Sequence, residues 1–118
     1  MIVGTGVDIT EVMRLRKAAE RWGNIFLNRV FTKKELENAK KRPSMYQHLA
    51  GRFAAKEAVF KAFGDTELSW KDLEILNDRV GKPYCLFLNK KGKNKEVHIS
   101  ISHVKNYAVA SAIVTEKG

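Results

Sequence analysis

The stretch from Arg52 to Gly64, Arg-Phe-Ala-Ala-Lys-Glu-Ala-Val-Phe-Lys-Ala-Phe-Gly, constrains the fold more than any other part of the chain. Wound as an α-helix at about 100° per residue, it puts Leu49, Phe53, Phe60 and Phe63 on one face. Gly51, Ala55, Ala58 and Ala62 fall on the opposite face, where small side chains let another backbone approach closely. A helix that is apolar on two faces is mostly buried. Glu57 and Lys61 lie one turn apart on the strip between those faces. A buried charge is costly unless it is paired or bound to something. The rest of the chain therefore has to supply partners for these two groups. Two readings stay open here. The pair is either an i,i+4 salt bridge on a solvated edge, worth about 0.2–0.5 kcal/mol, or a metal carboxylate beside a phosphate-binding lysine. Gly64 ends the helix as a left-handed cap.

The remaining elements follow from local pattern. Residues 2–9 read as a strand containing glycines, with Asp8 near its end. The Gly4-Thr5-Gly6 pair has no third glycine and opens no helix, so a dinucleotide-binding turn is discounted. Thr10 caps a helix to about Trp22, with Glu11 in its first turn. Val12, Leu15, Ala19 and Trp22 form its core face, and Arg14, Lys17 and Arg21 the opposite stripe. Gly23 closes it, and 24–30 is a short helical turn. Thr32-Lys33-Lys34-Glu35 is a capping box opening a polar helix to about Lys41, which Pro43 stops. The central helix runs from about Met45 to Phe63. Strands are expected over 73–76, 84–88, 97–103 and 107–115, with turns at 80–83 and at the basic segment 90–95, the best hairpin signal. Strand 107–115 is apolar on both faces, which places it centrally or in an interface. Helices followed by strands, with no linker, predict one α+β domain over 1–118 with an antiparallel sheet.

With 118 residues, 44% hydrophobic and 30% charged, the chain has the composition of a soluble domain with one modest core. No apolar run reaches membrane-span length, and residues 1–4 carry no signal-like region, so a cytoplasmic protein is expected. The single cysteine, Cys85, excludes an internal disulfide and sits in an apolar strand, where a packing role outweighs a nucleophilic one. A net charge of +9 favours polyanionic partners: nucleic acid, an acidic protein or a multiply phosphorylated ligand.

Three segments carry chemistry: Asp8 at a strand end, Glu57 and Lys61 on the buried helix, and Ser100-Ile101-Ser102-His103 on a late strand. Two carboxylates on different elements beside a lysine are what a magnesium–phosphate site needs, because Mg²⁺ uses one or two carboxylates together with waters and substrate phosphates. Taken in order, Gly6-Val7-Asp8-Ile9, then Arg52 to Gly64, then Ser100 to His103 resemble the holo-acyl-carrier-protein synthases, the small bacterial-type 4′-phosphopantetheinyl transferases. The resemblance covers Met1 to about Val114. The turn Gly81-Lys82-Pro83 matches too, with Val80 where an asparagine is often found.

The resemblance implies a 4′-phosphopantetheinyl transferase-like fold and a reaction. Phosphopantetheine passes from coenzyme A to a serine of apo-acyl carrier protein in fatty acid biosynthesis, and 3′,5′-ADP is released. It implies that Asp8 and Glu57 hold Mg²⁺, that Lys61 contacts phosphate, and that a carboxylate, Glu57, serves as base. It places Arg52, Gly64, Gly81, Lys82, Pro83, Ser102 and His103 at the coenzyme A site, with Arg52, His103 and the Gly81–Pro83 turn at the adenosine 3′-phosphate end. It implies a homotrimer with sites between subunits, and an acidic carrier protein docked on Arg14, Lys17 and Arg21. The rival reading is a basic nucleic-acid-binding module. Against it, the chain has no zinc-finger, RNA-recognition or KH signature and few exposed aromatics on its basic stripe. A catalytically inert carrier-protein binder is opposed by the intact Asp8, Glu57 and Lys61.

Overall fold

The computed structural model describes residues 1–64 and 68–117. In chain order the elements are β1 (Ile2–Glu11), α1 (Val12–Val30), α2 (Lys33–Lys40), α3 (Met45–Phe63), β2 (Leu73–Asn77), β3 (Pro83–Phe87), β4 (Lys95–His103) and β5 (Tyr107–Glu116). This is the expected α+β order. The strands, however, divide between two antiparallel sheets, one ordered β1-β5-β4 and one formed by β2 and β3. The basic segment 90–95 makes no hairpin pairing between β3 and β4. A single 3₁₀ turn at Lys90–Gly92 and a left-handed Asn94 (φ 67°) carry the chain out of register instead. Gly92 is pressed against the ring of Phe87, where any Cβ would collide. The two hairpins that do form turn at 78–82 and 104–106. In the first, the Asp78 carboxylate accepts from the backbone N–H of Val80 and Lys82, each at 2.9 Å.

The central helix behaves as its pattern requires. Leu49, Ala54, Ala55, Ala58 and Val59 are fully buried. The small face lets β1 lie directly on the helix. A Cβ on Gly4 would overlap the carbonyl oxygen of Ala62, and one on Gly6 would overlap that of Ala58. The glycine pair is thus a packing device, since only a residue without Cβ permits this approach. β5 lays Ala108, Ala110, Ala112 and Val114 against the same helix. Its other face, with Tyr107, Val109 and Ile113, is open in the single chain. It is continued by Val7 (60% exposed) and Ile9 (65% exposed) on β1. Ser111 and Val109 lie opposite those two residues in the ladder.

Three local expectations are corrected. Thr10 does not cap α1. It belongs to β1, its hydroxyl donates to Asp8 Oδ2 at 2.8 Å, and Glu11 occupies the cap position without a side-chain bond. Trp22 is 56% exposed rather than core, with the Arg21 guanidinium 4.9 Å over its ring. Gly23, which follows it with a φ of 58°, kinks α1. The segment after the kink turns Phe26 and Leu27 inward against the cluster around Leu15 and Phe31. Finally, the deepest charge on α3 is Lys56, with Arg52 also buried. Its ammonium donates to Glu35 Oε1 at 2.7 Å and to the carbonyls of Val30 and Trp70 at 2.8 and 2.9 Å. Glu35 also accepts from the backbone N–H of Thr32 (2.8 Å) and Ile75 (2.6 Å), so the expected capping box of α2 doubles as an anchor for α3 and β2. With every ammonium proton used, the pair acts more to fix how these elements meet than to add net stability.

Candidate active site

β1 and α3 bring Asp8, Glu57 and Lys61 to one pole. The close approach at Gly6 sets the end of β1 beside the exposed edge of α3. Lys61 donates to the Val7 carbonyl at 3.0 Å and to Asp8 Oδ1 at 3.4 Å. Thr10 holds the other Asp8 oxygen. Among the described residues, Glu57 and Lys61 make no ion pair with each other, so the simple i,i+4 salt bridge is not what forms. The Glu57 carboxyl is raised above its ordinary range, first by burial and then by the Asp8 charge, with Lys61 opposing. Asp8 and Glu57 line one pocket of about 440 Å³ together with Lys61, Thr10, Phe53 and Arg14. Two neighbouring carboxylates that repel each other, with a lysine at their margin, are a hard-oxygen donor set that a divalent cation would relieve. The residues therefore fit Mg²⁺, with waters and substrate oxygens supplying the remaining ligands.

A second pocket, of about 230 Å³, lies on the other side of α3. Arg42, His48, Gly51, Arg52, Asn77, Gly81, Pro83, Ile101 and His103 line it. Here the structure gathers Arg52, Gly81, Pro83 and His103 from the predicted coenzyme set. Arg52 is 5% exposed, and burial, followed by the neighbouring Arg42, pushes its guanidinium down to about 10. It donates to the Asn77 side-chain oxygen, and the Asn77 amide donates to the Gly81 carbonyl at 2.7 Å. Asn77, rather than position 80, ties the turn to the site, and Val80 is 88% exposed. Arg42, His48 and Asn77 were not among the predicted residues. His48 was within reach of sequence reasoning, because it precedes Arg52 by one helical turn. Lys82, Ser102 and Gly64 line neither pocket of a single chain. Ser102 sits on the open face of β4, opposite Val109, and Gly64 caps α3 with φ 81°. Cys85 is half-buried, and burial pushes its thiol up to about 12, which suits packing and not attack.

Arg14, Lys17 and Arg21 are all exposed on α1. Only Arg14 also borders the Asp8–Glu57 pocket, so the basic stripe begins at the rim of the site.

The family model described as the 4′-phosphopantetheinyl transferase superfamily matches residues 4–112. A holo-[acyl-carrier-protein] synthase of Fusobacterium nucleatum is 46% identical, over 97% of this chain and 99% of that protein. Among solved structures, the holo-(acyl-carrier-protein) synthase of Bacillus anthracis, in complex with coenzyme A (3′,5′-ADP), superposes with a TM-score of 0.85 at 39% identity, covering 100% and 99% of the two chains. The Helicobacter pylori synthase in complex with coenzyme A gives 0.85 at 31% identity, covering 94% of this chain and 99% of that one. The chain belongs to the holo-[acyl-carrier-protein] synthase family of that superfamily.

Proposed function

We propose that this chain transfers 4′-phosphopantetheine from coenzyme A to a serine of an acidic apo-acyl carrier protein, working in the cytoplasm for fatty acid biosynthesis. The observation that carries the reading is the convergence of Asp8, Glu57 and Lys61 at one pole of a fold that matches the synthases along nearly its whole length. Mg²⁺, held by Asp8 and Glu57, would supply charge neutralisation at the pyrophosphate and its leaving group. The chain's own residues do the rest. Lys61, already directed at Asp8, meets a phosphate oxygen. Arg52 and His103, with the backbone of Gly81 and Pro83, hold the adenosine 3′-phosphate, and Lys82, Ser102 and Gly64 complete the coenzyme's surroundings. The carrier serine oxygen attacks the phosphorus that bears the pantetheine arm. The bond from that phosphorus to the bridging oxygen breaks, and 3′,5′-ADP leaves with the electron pair. The serine proton passes to a carboxylate, for which Glu57, lining the pocket beside Asp8, is the candidate.

The two pockets support a further element of this reading, a homotrimer with shared sites. Arg52 and Glu57 are five residues apart on α3, hence about 140° apart around it and about 7.5 Å along it. α3 is buried between them, so one elongated coenzyme cannot pass through the helix to fill both pockets of a single chain. The open apolar face of β1 and β5 needs a cover, and a head-to-tail join there is the arrangement in which unlike pockets of two chains could meet.

Incubation with coenzyme A, Mg²⁺ and an apo-carrier, read by intact mass, tests the activity. The carrier should gain one phosphopantetheine, and chelation of the metal should prevent it. An unmodified carrier under metal-replete conditions would contradict the reading.

A further inference from the structure

Resting on the functional reading above, we propose that His48 is a further phosphate-binding residue. Its Nε2–H donates to the coenzyme's terminal phosphate monoester, and it sharpens the choice of the 3′-phosphorylated coenzyme over the dephospho form. His48 stands one turn before Arg52 on α3 and borders the 230 Å³ pocket with Arg42 and His103. Its Nε2 is buried and has no hydrogen-bond partner among the described residues. A buried polar atom left unpaired costs about 1–3 kcal/mol, so a ligand that satisfies it gains what the free protein lacks.

The surroundings say which ligand. Arg42 from the α2–α3 connection, Arg52 from α3 and His103 from β4 face the imidazole. The β2–β3 hairpin adds the amide of Asn77 and the backbone of Gly81 and Pro83. Among the described residues no carboxylate lines the pocket. Burial, then Arg52, Arg42 and His103, hold the imidazole down to about 4, so near neutral pH it presents one N–H and no charge. The bond from Arg52 to Asn77 leaves other guanidinium N–H groups for a ligand. A phosphate monoester brings a charge of about −1.5 to −2 and three acceptor oxygens, enough for both guanidinium groups and Nε2. A bare hydroxyl would bring no charge to the two guanidinium groups that border the pocket.

The test compares initial rates with coenzyme A and dephospho-coenzyme A for wild type, His48→Phe and His48→Gln. His48→Phe should raise KM for coenzyme A about tenfold, the effect of losing one hydrogen bond to a charged group. The same change should move KM for the dephospho form by less than about twofold, since no phosphate is there to lose. His48→Gln, which keeps an N–H donor, should recover part of the loss. Equal losses for both coenzymes, or none, would overturn the proposal. A second readout needs no variant. The His48 ring nitrogens, followed by NMR, should shift and bind protons at higher pH when 3′,5′-ADP is added, and should not respond so to 5′-ADP. An unresponsive ring with 3′,5′-ADP bound would also overturn it. Absence of wild-type turnover with coenzyme A is a different result: it removes the functional reading and this proposal with it.

Discussion

At the scale of single residues, the site rests on an electrostatic conflict that a cation would relieve. Asp8 is satisfied by Thr10 and Lys61, whereas Glu57 is desolvated and faces the Asp8 charge. A carboxyl whose folded-state pKa is raised binds protons more readily in the folded than in the unfolded state. Its ionised form therefore opposes folding above that range, and stability returns as pH falls through it. Glu57→Gln removes this opposition. At pH 7 without metal the variant should melt no lower than wild type, and its turnover should fall by about 10²-fold or more, as expected when a group that stabilises charge in the transition state is lost. Added Mg²⁺ should raise the melting temperature of wild type and not that of the variant. Near-normal turnover, or an equal metal-induced shift in both proteins, would remove Glu57 from the metal site.

At the scale of elements, the position of Asp8 depends on how closely β1 lies on α3. Gly6→Ala places a methyl group on the Ala58 carbonyl, with backbone on both sides and no flexible side chain to yield. It should cost about 1–3 kcal/mol in stability and reduce turnover by moving Asp8 away from Glu57. An unchanged denaturant midpoint would show that β1 has slack there. On α1, Arg14 belongs to the exposed stripe and to the pocket rim together. Arg14→Glu should raise KM for the carrier strongly and leave that for coenzyme A nearly unchanged, with added salt weakening wild type more than the variant. Equal effects on both substrates would assign Arg14 to the coenzyme site instead. The two-faced central helix, its small side toward another backbone, the capping box at Thr32 and the break at Gly23 were all legible in the sequence, because each depends on local spacing. Three features were not. The Lys56–Glu35 pair joins residues 21 apart, and no periodicity distinguishes Lys56 from the lysine beside the pocket. Asn77 reaches Arg52 only because β2 ends beside α3. The split between β3 and β4 is set by packing at Gly92 and Phe87, which outweighs the turn composition that suggested a hairpin.

At the scale of the whole molecule, one buried helix carries two half-sites that face apart. The 440 Å³ pocket holds the carboxylates and the 230 Å³ pocket holds the guanidinium and imidazole groups. A wide apolar face of β1 and β5 stands open beside them. The reading proposed above joins these facts: the acidic half-site of one chain would work with the basic half-site of a neighbour across that face. Subunit complementation tests this most directly. Asp8→Ala and Arg52→Ala are produced separately and together, each preparation is shown to be assembled by native mass spectrometry, and carrier modification is measured. Each variant alone should be nearly inactive. In mixed assemblies, an interface that pairs the intact Asp8–Glu57 pocket of one chain with the intact Arg52 pocket of the other restores a working site, so the mixture should regain turnover that neither variant has. Mixed assemblies that form but show no more activity than the two variants measured apart would contradict the shared site.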